Sequence, residues 1–305
     1  MSWQTIRPIV IEFIEEQKLP AEFLYLVERW YWPLIKRIAS SSNSISVLGI
    51  NGAQGSGKST LAELISILLQ HHAHLRCAVL SIDDFYLPLS DRQQLANTVH
   101  PLLAVRGVPG THDIDLALKT LSKIGEASAG DKLRLPRFNK AADDRLPESE
   151  FPIIAGPVDL IILEGWCVGA SAQTEAALVT PINPLEEIKD NDGRWRHYVN
   201  QQLGGNYQSL FSMIDCLIML KSPSFTCIEE WRWMQESKLI QKKQGHGTGL
   251  MNRKQIGEFV QYYERLTKHC LDEMPNRANL VYHLNNDHQI TRATDSLAME
   301  WETSN

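Results

Sequence analysis

Apolar residues in this chain fall into short continuous runs that alternate with amphipathic stretches. Each run is rich in Val, Ile and Leu and is bounded by turn residues; the runs are Ser46–Ile50, Ala78–Asp83, Asp159–Glu164, Cys216–Leu220 and Leu280–Leu284. Between them, apolar side chains at helical spacing predict helices at Lys58–Gln70, Asp113–Ile124 and Asn252–Leu271. Continuous apolar strands separated by helices are typical of a parallel sheet covered on both faces. The pattern therefore predicts an α/β protein with a three-layer α/β/α fold and a mainly parallel sheet.

Three other stretches differ from this pattern. Residues 1–43 carry apolar side chains at helical spacing on both sides of Pro20, which predicts an N-terminal helical hairpin before a main domain at residues 44–305. Thr174–Asn206 is rich in Pro, Asn and charge, so we expect an insertion or a mobile loop there. Gln241–Gly249 reads QKKQGHGTG and predicts a flexible cationic loop.

Composition narrows the class of protein. Of 305 residues, 43% are apolar and 22% are charged, as in an ordinary globular protein, and the formal net charge is −6. A nucleic acid or an anionic membrane as main partner would need a broad basic surface, so we expect neither. The first residues carry acids where a signal peptide needs bases, and no apolar run is long enough to span a bilayer, so we expect a cytoplasmic protein. The five cysteines contain no Cys-x-x-Cys pair, which argues against a disulfide framework or a zinc site.

A glycine-rich motif lies between the first predicted strand and the first predicted helix of the main domain. It matches G-x-x-x-x-G-K-[ST] and consists of Gly52, Ala53, Gln54, Gly55, Ser56, Gly57, Lys58, Ser59 and Thr60. Such a loop directs backbone N–H groups at phosphate, Lys58 adds a positive charge for the β- and γ-phosphates, and the Ser59 hydroxyl can bind Mg²⁺. The motif predicts that the chain binds a nucleoside triphosphate with Mg²⁺, and other residues must decide which kind of P-loop protein it is.

The acidic residues at predicted strand ends distinguish among the classes of protein with such a loop. A GTPase would carry Asn-Lys-x-Asp, whereas Asn139-Lys140 is followed by Ala-Ala-Asp, and the Leu-Ser-Gly-Gly-Gln signature of transporters is absent. Asp83 and Glu164 instead stand at the carboxyl ends of two predicted strands, where ligands of open parallel sheets collect. Asp83 is then expected beside the γ-phosphate, and the adjacent Asp84 is expected to be a turn or capping residue.

Several sequence blocks resemble a known group of kinases. The strand-end pattern Asp83-x-Phe85-Tyr86 resembles the uridine kinase, phosphoribulokinase and pantothenate kinase superfamily, in which this Asp acts as base toward the acceptor hydroxyl. Between about residues 46 and 285 the chain resembles the plant-type D-glycerate 3-kinase family and its fungal and bacterial relatives. The blocks that carry this resemblance occur in the order SIDDFYLPLSDRQQLA, RGVPGTHDIDL, LPRFNKAADDR, ILEGWCVG and EEWRWMQE.

The resemblance implies a P-loop kinase fold with a lid, and transfer of the γ-phosphoryl group of ATP to a hydroxyl of D-glycerate. The implied catalytic residues are Lys58, Asp83, Glu164 and Arg232, with Ser59 and Glu164 at the metal and Arg232 beginning the lid at about 224–250. Glycerate carries a carboxylate, so its site needs cations or amide donors. The implied substrate-binding residues are Asp83, Tyr86, Arg106, His112, Arg137, Lys140 and Arg145.

Two alternatives remain at this point. One is a kinase of the same superfamily for another small alcohol, such as a nucleoside or pantothenate; a nucleoside site would favour aromatic stacking over several arginines. The other is a nucleotide-binding regulator without catalysis. Acidic residues at two strand ends, Asp83 and Glu164, argue against a regulator, because a protein that only binds nucleotide needs neither.

Overall fold

The computed structural model describes residues 1–41, 44–242 and 251–296. Ten strands lie within these residues: β1 (Val47–Gly52), β2 (Cys77–Ser81), β3 (Lys132–Arg134), β4 (Phe138–Asn139), β5 (Asp144–Arg145), β6 (Ile153–Ala155), β7 (Leu160–Gly165), β8 (Cys216–Lys221), β9 (Leu280–Leu284) and β10 (Ile290–Asp295). Six of them form the central sheet in the order β2-β7-β1-β8-β9-β10, in which only β10 runs antiparallel to its neighbour. The other four form two short ribbons, β3 with β6 and β4 with β5.

Helices fill most of the connections between these strands. Those within the described residues are α1 (Trp3–Glu16), α2 (Phe23–Leu26), α3 (Trp32–Ser40), α4 (Lys58–Ala73), α5 (Leu89–Thr98), α6 (Ile114–Gly125), α7 (Glu175–Leu178), α8 (Pro184–Lys189), α9 (Arg194–Gly204), α10 (Asn206–Phe211), α11 (Phe225–Lys242) and α12 (Arg253–Glu273). The three helices predicted in the main domain correspond to α4, α6 and α12. No helix of the described ranges has the length and apolar character needed to cross a membrane.

The sheet is covered by helices on both faces. Successive strand residues point to opposite faces, so Leu48 and Ile162 pack with α1, α3, α4 and α11, whereas Val47 and Ile161 pack with α6, α10 and α12. The predicted three-layer fold with a mainly parallel sheet is therefore confirmed. The five predicted strands are its parallel members, and the predicted N-terminal helices α1 to α3 share the hydrophobic core of one face.

The segment Thr174–Asn206 is not the loop that its composition suggested. It folds into α7, α8 and α9, and Glu186 on α8 is fully buried in an ion pair with Arg265 of α12, at 2.6 Å. Its polar residues begin the short helices: the Asn183 side chain caps α8, and Pro184 occupies the first turn. The expectation of a mobile loop is wrong, because polar residues and proline in this segment mark the starts of short helices that follow one another closely.

The predicted cationic loop Gln241–Gly249 overlaps only the end of α11. Helix α11 continues through Lys242, and residues 243–249 lie outside the described residues.

Candidate active site

The phosphate loop connects β1 to α4 at the centre of the sheet. Gly57 immediately precedes α4 with φ 91°, a left-handed conformation that glycine adopts readily. A side chain at Gly52 would collide with Ser56 Oγ, so the loop can fold back on itself only with glycine there. Six residues of the loop line a cavity, namely Gln54, Gly55, Gly57, Lys58, Ser59 and Thr60. Gly52, Ala53 and Ser56 are buried.

Glu164 lies at the end of β7, directly beside β1. Its Oε1 atom accepts a hydrogen bond from the Ser59 hydroxyl at 2.8 Å, and Lys58 Nζ lies 4.0 Å from its Oε2 atom. Glu164 is 5% exposed, and Oε2 has no hydrogen-bond partner. A buried carboxylate oxygen without a donor, next to a hydroxyl, forms the oxygen-only donor set that Mg²⁺ prefers. The predicted metal residues thus fit the ion.

Asp83 occupies a helical turn immediately after β2. The sequence predicted a strand through Asp83, but β2 ends at Ser81 and residues Ile82–Phe85 form one 3-10 turn. The Ser81 hydroxyl accepts from the Asp83 N–H, and the Asp84 carboxylate accepts from the Ser81 N–H at 3.4 Å. This capping pair accounts for Asp84 as a local structural residue and leaves Asp83 at the cavity.

Both oxygens of the Asp83 carboxylate have donors. The Tyr86 hydroxyl donates to Oδ1 at 2.8 Å, and Lys140 Nζ donates to Oδ2 at 2.7 Å. Burial alone would raise the pKa of Asp83, but Lys140, Lys58 and the Tyr86 hydrogen bond outweigh burial and lower it below the ordinary aspartate value. Asp83 is therefore ionised at neutral pH and can accept a proton.

The cavity lined by the phosphate loop and Asp83 has a volume of about 710 Å³. Its lining also includes two arginines and a carboxylate that sequence reasoning did not bring together. Arg106 is ion-paired with Asp143, and Arg92 lies 3.0 Å from the same carboxylate. Arg92 is fully buried, and its guanidinium also donates to three backbone carbonyls. Altogether the lining carries five cations, Lys58, Arg92, Arg106, Lys140 and Arg232, against the two carboxylates of Asp83 and Asp143.

The predicted substrate-binding residues divide into two groups. Tyr86, Arg106 and Lys140 line the cavity together with Asp83, whereas His112, Arg137 and Arg145 are not part of its lining. Instead, they hold neighbouring structure in place.

Arg137 pairs with Asp84 at 2.8 Å, and Arg145 pairs with Asp113 at 3.0 Å. Neither guanidinium faces the cavity, because each neutralises a carboxylate beside the turn that carries Asp83. Arg145 also donates to the carbonyl oxygen of Tyr86.

His112 is buried behind Tyr86. The two rings stack at 4.5 Å, and His112 Nδ1 lies 2.6 Å from the Tyr207 hydroxyl, which accepts from the Gly110 N–H. Burial lowers the pKa of His112 to about 4, so the imidazole is neutral at pH 7. Its role in this structure is to support Tyr86 from behind.

Arg232 on α11 reaches the cavity from the segment where we predicted a lid. Its guanidinium pairs with the buried Glu236 one turn later, at 2.8 Å. The preceding Trp231 is buried and donates to the carbonyl oxygen of Asn286, as expected of a core tryptophan.

Several cavity residues were missed by sequence reasoning. Arg92, Asp143 and Trp166 lie within the sequence blocks quoted above, but nothing local distinguishes a buried charge from an exposed one on a polar helix such as α5. Trp166 Nε1 donates to Gly107 O, and the Tyr263 hydroxyl donates to Arg106 O. These contacts join segments that are 59 and 157 residues apart, which only the fold brings together.

Comparison with known proteins shows that the chain is similar to one group of kinases. No protein-family model matches the chain. It is 29% identical over 226 residues to the chloroplastic D-glycerate 3-kinase of Arabidopsis thaliana, a match that takes in 71% of this chain. The chain covers 46% of the length of that plant protein. It is 30% identical over 251 residues to a protein of Schizosaccharomyces pombe described as an uncharacterized kinase, covering 78% of this chain and 85% of that protein.

A solved structure supports the same grouping. The D-glycerate 3-kinase of Cryptococcus neoformans superposes with a TM-score of 0.67 at 26% sequence identity. The similarity covers 86% of this chain and 99% of the fungal one, so it includes both the sheet and most of the helices around it.

Proposed function

The chain belongs to the family of P-loop kinases that includes these plant and fungal proteins, and we propose from this that it transfers the γ-phosphoryl group of ATP to a hydroxyl group of D-glycerate. One observation carries the proposal: Asp83, an ionised carboxylate, shares a single cavity with the phosphate loop and with a wall of cations. A cytoplasmic location, without nucleic-acid or membrane partners, stays a prediction from the composition.

Ser59 and Glu164 are the residues that would hold Mg²⁺. When bound there, the ion neutralises charge on the β- and γ-phosphates. The fit rests on the Glu164 oxygen that has no hydrogen-bond donor of its own.

The chain's own groups account for the remaining steps of an in-line transfer. The phosphate loop and Lys58 bind the phosphates, and Asp83 accepts a hydrogen bond from the acceptor hydroxyl and directs its oxygen at the γ-phosphorus. As the new P–O bond forms and the bond to the leaving ADP oxygen breaks, the hydroxyl proton passes to Asp83. Arg232 and Lys58 neutralise the charge that develops on the transferred group.

The charge of the cavity favours an anionic acceptor. On the acceptor side, the three lining cations Arg92, Arg106 and Lys140 outnumber the two carboxylates of Asp83 and Asp143, whereas Lys58 and Arg232 pair with Glu164 and Glu236. The aromatic residues of the lining already pack on other rings: Tyr86 stacks on His112 behind the cavity, and Trp166 and Phe259 both pack against Tyr263, at 4.9 and 5.1 Å. A nucleoside acceptor would need an aromatic face to stack on, so this arrangement favours a small acid.

A coupled assay of ADP release tests the proposal, with D-glycerate, glycerol, pantothenate and uridine as acceptors. We expect D-glycerate to be phosphorylated, and glycerol to be poorer by roughly 10- to 150-fold, the equivalent of one lost charge-assisted hydrogen bond. Equal rates with glycerol or uridine would leave a kinase and remove the glycerate assignment. ATP binding without ADP release for any acceptor would favour the regulator.

A further inference from the structure

Each oxygen of the Asp83 carboxylate already accepts a hydrogen bond in the ligand-free chain. A general base must lie within hydrogen-bond distance of the proton it removes, yet Tyr86 holds Oδ1 and Lys140 holds Oδ2. Each oxygen has a further lone pair, but these donors compete with the acceptor hydroxyl and lower the basicity of Asp83, so the carboxylate is most effective as a base once one of them has moved.

Tyr86 is the donor that cannot move easily. It is 4% exposed, its ring stacks on His112, and the imidazole is in turn held by the Tyr207 hydroxyl at 2.6 Å. Its backbone carbonyl oxygen also accepts from Arg145. Displacing the phenol would disturb a packed row of three rings, so Oδ1 stays occupied.

Lys140 has the opposite properties. Its side chain is 62% exposed, against 29% for Arg106 and 18% for Arg232, the next most exposed cations of the lining that have an ion-pair partner. Its backbone is held, because Arg106 donates to Lys140 O and the Asn139 side chain accepts from the N–H groups of the two residues that follow. The ammonium can therefore leave Asp83 by rotation of its own side chain, and exposed ion pairs of this kind are weak.

We propose that Lys140 is a latch on Asp83 which an anionic acceptor opens. In the free chain the ammonium pairs with Oδ2, where it competes with the reacting hydroxyl and neutralises the charge of the base. On binding, the acceptor's carboxylate draws the ammonium away from Asp83 and its hydroxyl replaces the ammonium at Oδ2. Lys140 is thereby a specificity residue, and this inference rests on the proposed function.

The latch discriminates between acceptors because an acid that displaces Lys140 from Asp83 offers the ammonium a new carboxylate partner. In D-glycerate two carbon atoms separate the terminal hydroxyl oxygen from the carboxylate carbon. One flexible lysine can therefore pair with the carboxylate of the acceptor while the terminal hydroxyl lies at Asp83. Glycerol presents the same terminal hydroxyl but offers no partner to the displaced ammonium. A neutral alcohol must therefore displace the ammonium from Asp83 without replacing the ion pair that is lost.

The test is Lys140→Met, which keeps the apolar stem of the side chain and removes its charge. We expect kcat/KM for D-glycerate to fall roughly 10-fold or more, because the acid loses its charged partner. We expect kcat/KM for glycerol to rise about 2- to 5-fold, the equivalent of one exposed ion pair, because Asp83 no longer has to be uncovered. A gain with the neutral acceptor is a result that a purely structural role of Lys140 would not give.

Two further variants serve as controls. Arg106→Ala removes another cavity cation, which pairs with Asp143 and not with Asp83, so it should weaken D-glycerate without improving glycerol. Lys132→Met alters an exposed lysine of β3 that is not part of the cavity lining and should change neither value.

The outcomes separate the latch from the function on which it rests. If the wild type phosphorylates D-glycerate and Lys140→Met lowers or leaves unchanged the rate with glycerol, the latch is overturned and the glycerate kinase stands. If the wild type phosphorylates neither acceptor, the proposed function fails and the latch fails with it. Opposite changes for the two acceptors in Lys140→Met alone would establish the latch.

Discussion

The two sides of the cavity are built from different groups: backbone N–H groups on one side and ion-paired side chains on the other. On the phosphate side, nine consecutive residues, 52–60, supply backbone N–H groups, and their strand and helix belong to the centre of the sheet. On the acceptor side, Asp83, Arg106 and Lys140 come from three separate segments, and ion pairs hold them. A backbone cradle changes little when one side chain is exchanged, whereas an ion-paired wall changes its charge with every substitution. The acceptor side is thus where a family with one nucleotide site can acquire different substrates.

The carboxylates of the two sides differ in the same way. Glu164 has a buried oxygen without a hydrogen-bond donor, which suits a metal ion. Asp83 has donors on both oxygens, which keep it ionised and orient it toward the cavity. Substitutions on the two sides of the cavity test this contrast, and their expected effects on activity and stability differ in size.

The largest effect is expected for Asp83→Asn, on the acceptor side. Loss of the proton acceptor should lower kcat about 10²- to 10⁴-fold and leave ATP affinity nearly unchanged, since Asp83 contacts no phosphate-loop backbone group. The loose transition state of phosphoryl transfer needs little help from a base, so the lower end of the range is the one expected from positioning alone. Steady-state kinetics and ATP titration of the same preparation provide the measurement.

Asp84→Asn is the matched variant, because Asp84 faces Arg137 and the Ser81 N–H. It should cost stability more than kcat. A loss of kcat at Asp84 equal to that at Asp83 would mean that the wrong carboxylate has been placed in the reaction.

Lys58→Ala tests the phosphate side and should affect ATP itself. We expect kcat to fall about 10²- to 10³-fold, as for the loss of one charge-stabilising donor. For the wild type, ATP with Mg²⁺ at ~100 times its dissociation constant adds about 2.7 kcal/mol to the free energy of unfolding, and the variant should lose most of the resulting rise in Tm. Thermal denaturation with and without ATP measures this, and equal shifts in both proteins would contradict the nucleotide assignment.

His112, on the acceptor side, should make the free energy of unfolding sensitive to acid. Burial lowers its pKa in the fold to about 4, whereas an unfolded histidine titrates near 6.5. Between these values the unfolded chain binds a proton that the folded chain does not, so stability is lost as pH falls from about 6.5 to 4 and the loss levels off below that. The full difference corresponds to about 3 kcal/mol.

Denaturant unfolding of the wild type and of His112→Gln, measured across this pH range, isolates that contribution. The variant should be less stable at pH 7, because it loses the stack on Tyr86, and the gap between the two proteins should narrow toward pH 4. A gap that does not change with pH would show that His112 is not buried in its neutral form.

Arg106→Ala should give the smallest of these effects and the most selective one. The apparent KM for D-glycerate should rise roughly 10- to 150-fold, with that for ATP almost unchanged, because one charge-assisted hydrogen bond to the acid is lost. Arg137→Ala should raise the KM far less, since Arg137 pairs with Asp84 outside the cavity lining. The same rise for both arginines would mean that the wall rearranges on binding.

The position of the glycine-rich loop between β1 and α4 could be predicted from the sequence, because its residues are consecutive and its flanking elements have strong patterns. The five parallel strands were found for the same reason: each is a continuous apolar run. The edge strand β10 was missed, because only Ile290 of its six residues is buried and an exposed edge gives no apolar run. The domain boundary at residue 43 stays a prediction.

The acceptor side could be predicted only as a set of candidate cations. Sequence blocks supplied Arg106, Arg137 and Arg145 as candidates, yet the fold turns the last two toward Asp84 and Asp113. Which carboxylate an arginine meets depends on contacts 32 to 53 residues away in the chain, for which local patterns hold no information. The partner of Lys140 was missed for the same reason.

The packing of the N-terminal helices has a further consequence for the nucleotide site. Helices α1 and α3 both contact α4, and the fully buried side chains of Ile6, Val10 and Ile35 lie in the same core as Leu61 and Leu64. The first forty residues thus pack behind the helix whose amino end forms the proposed phosphate site. A chain begun at residue 44 would expose that stripe of α4 to water and be prone to aggregate. A milder core substitution in the hairpin should weaken this packing and destabilise the helix that carries Lys58 and Ser59.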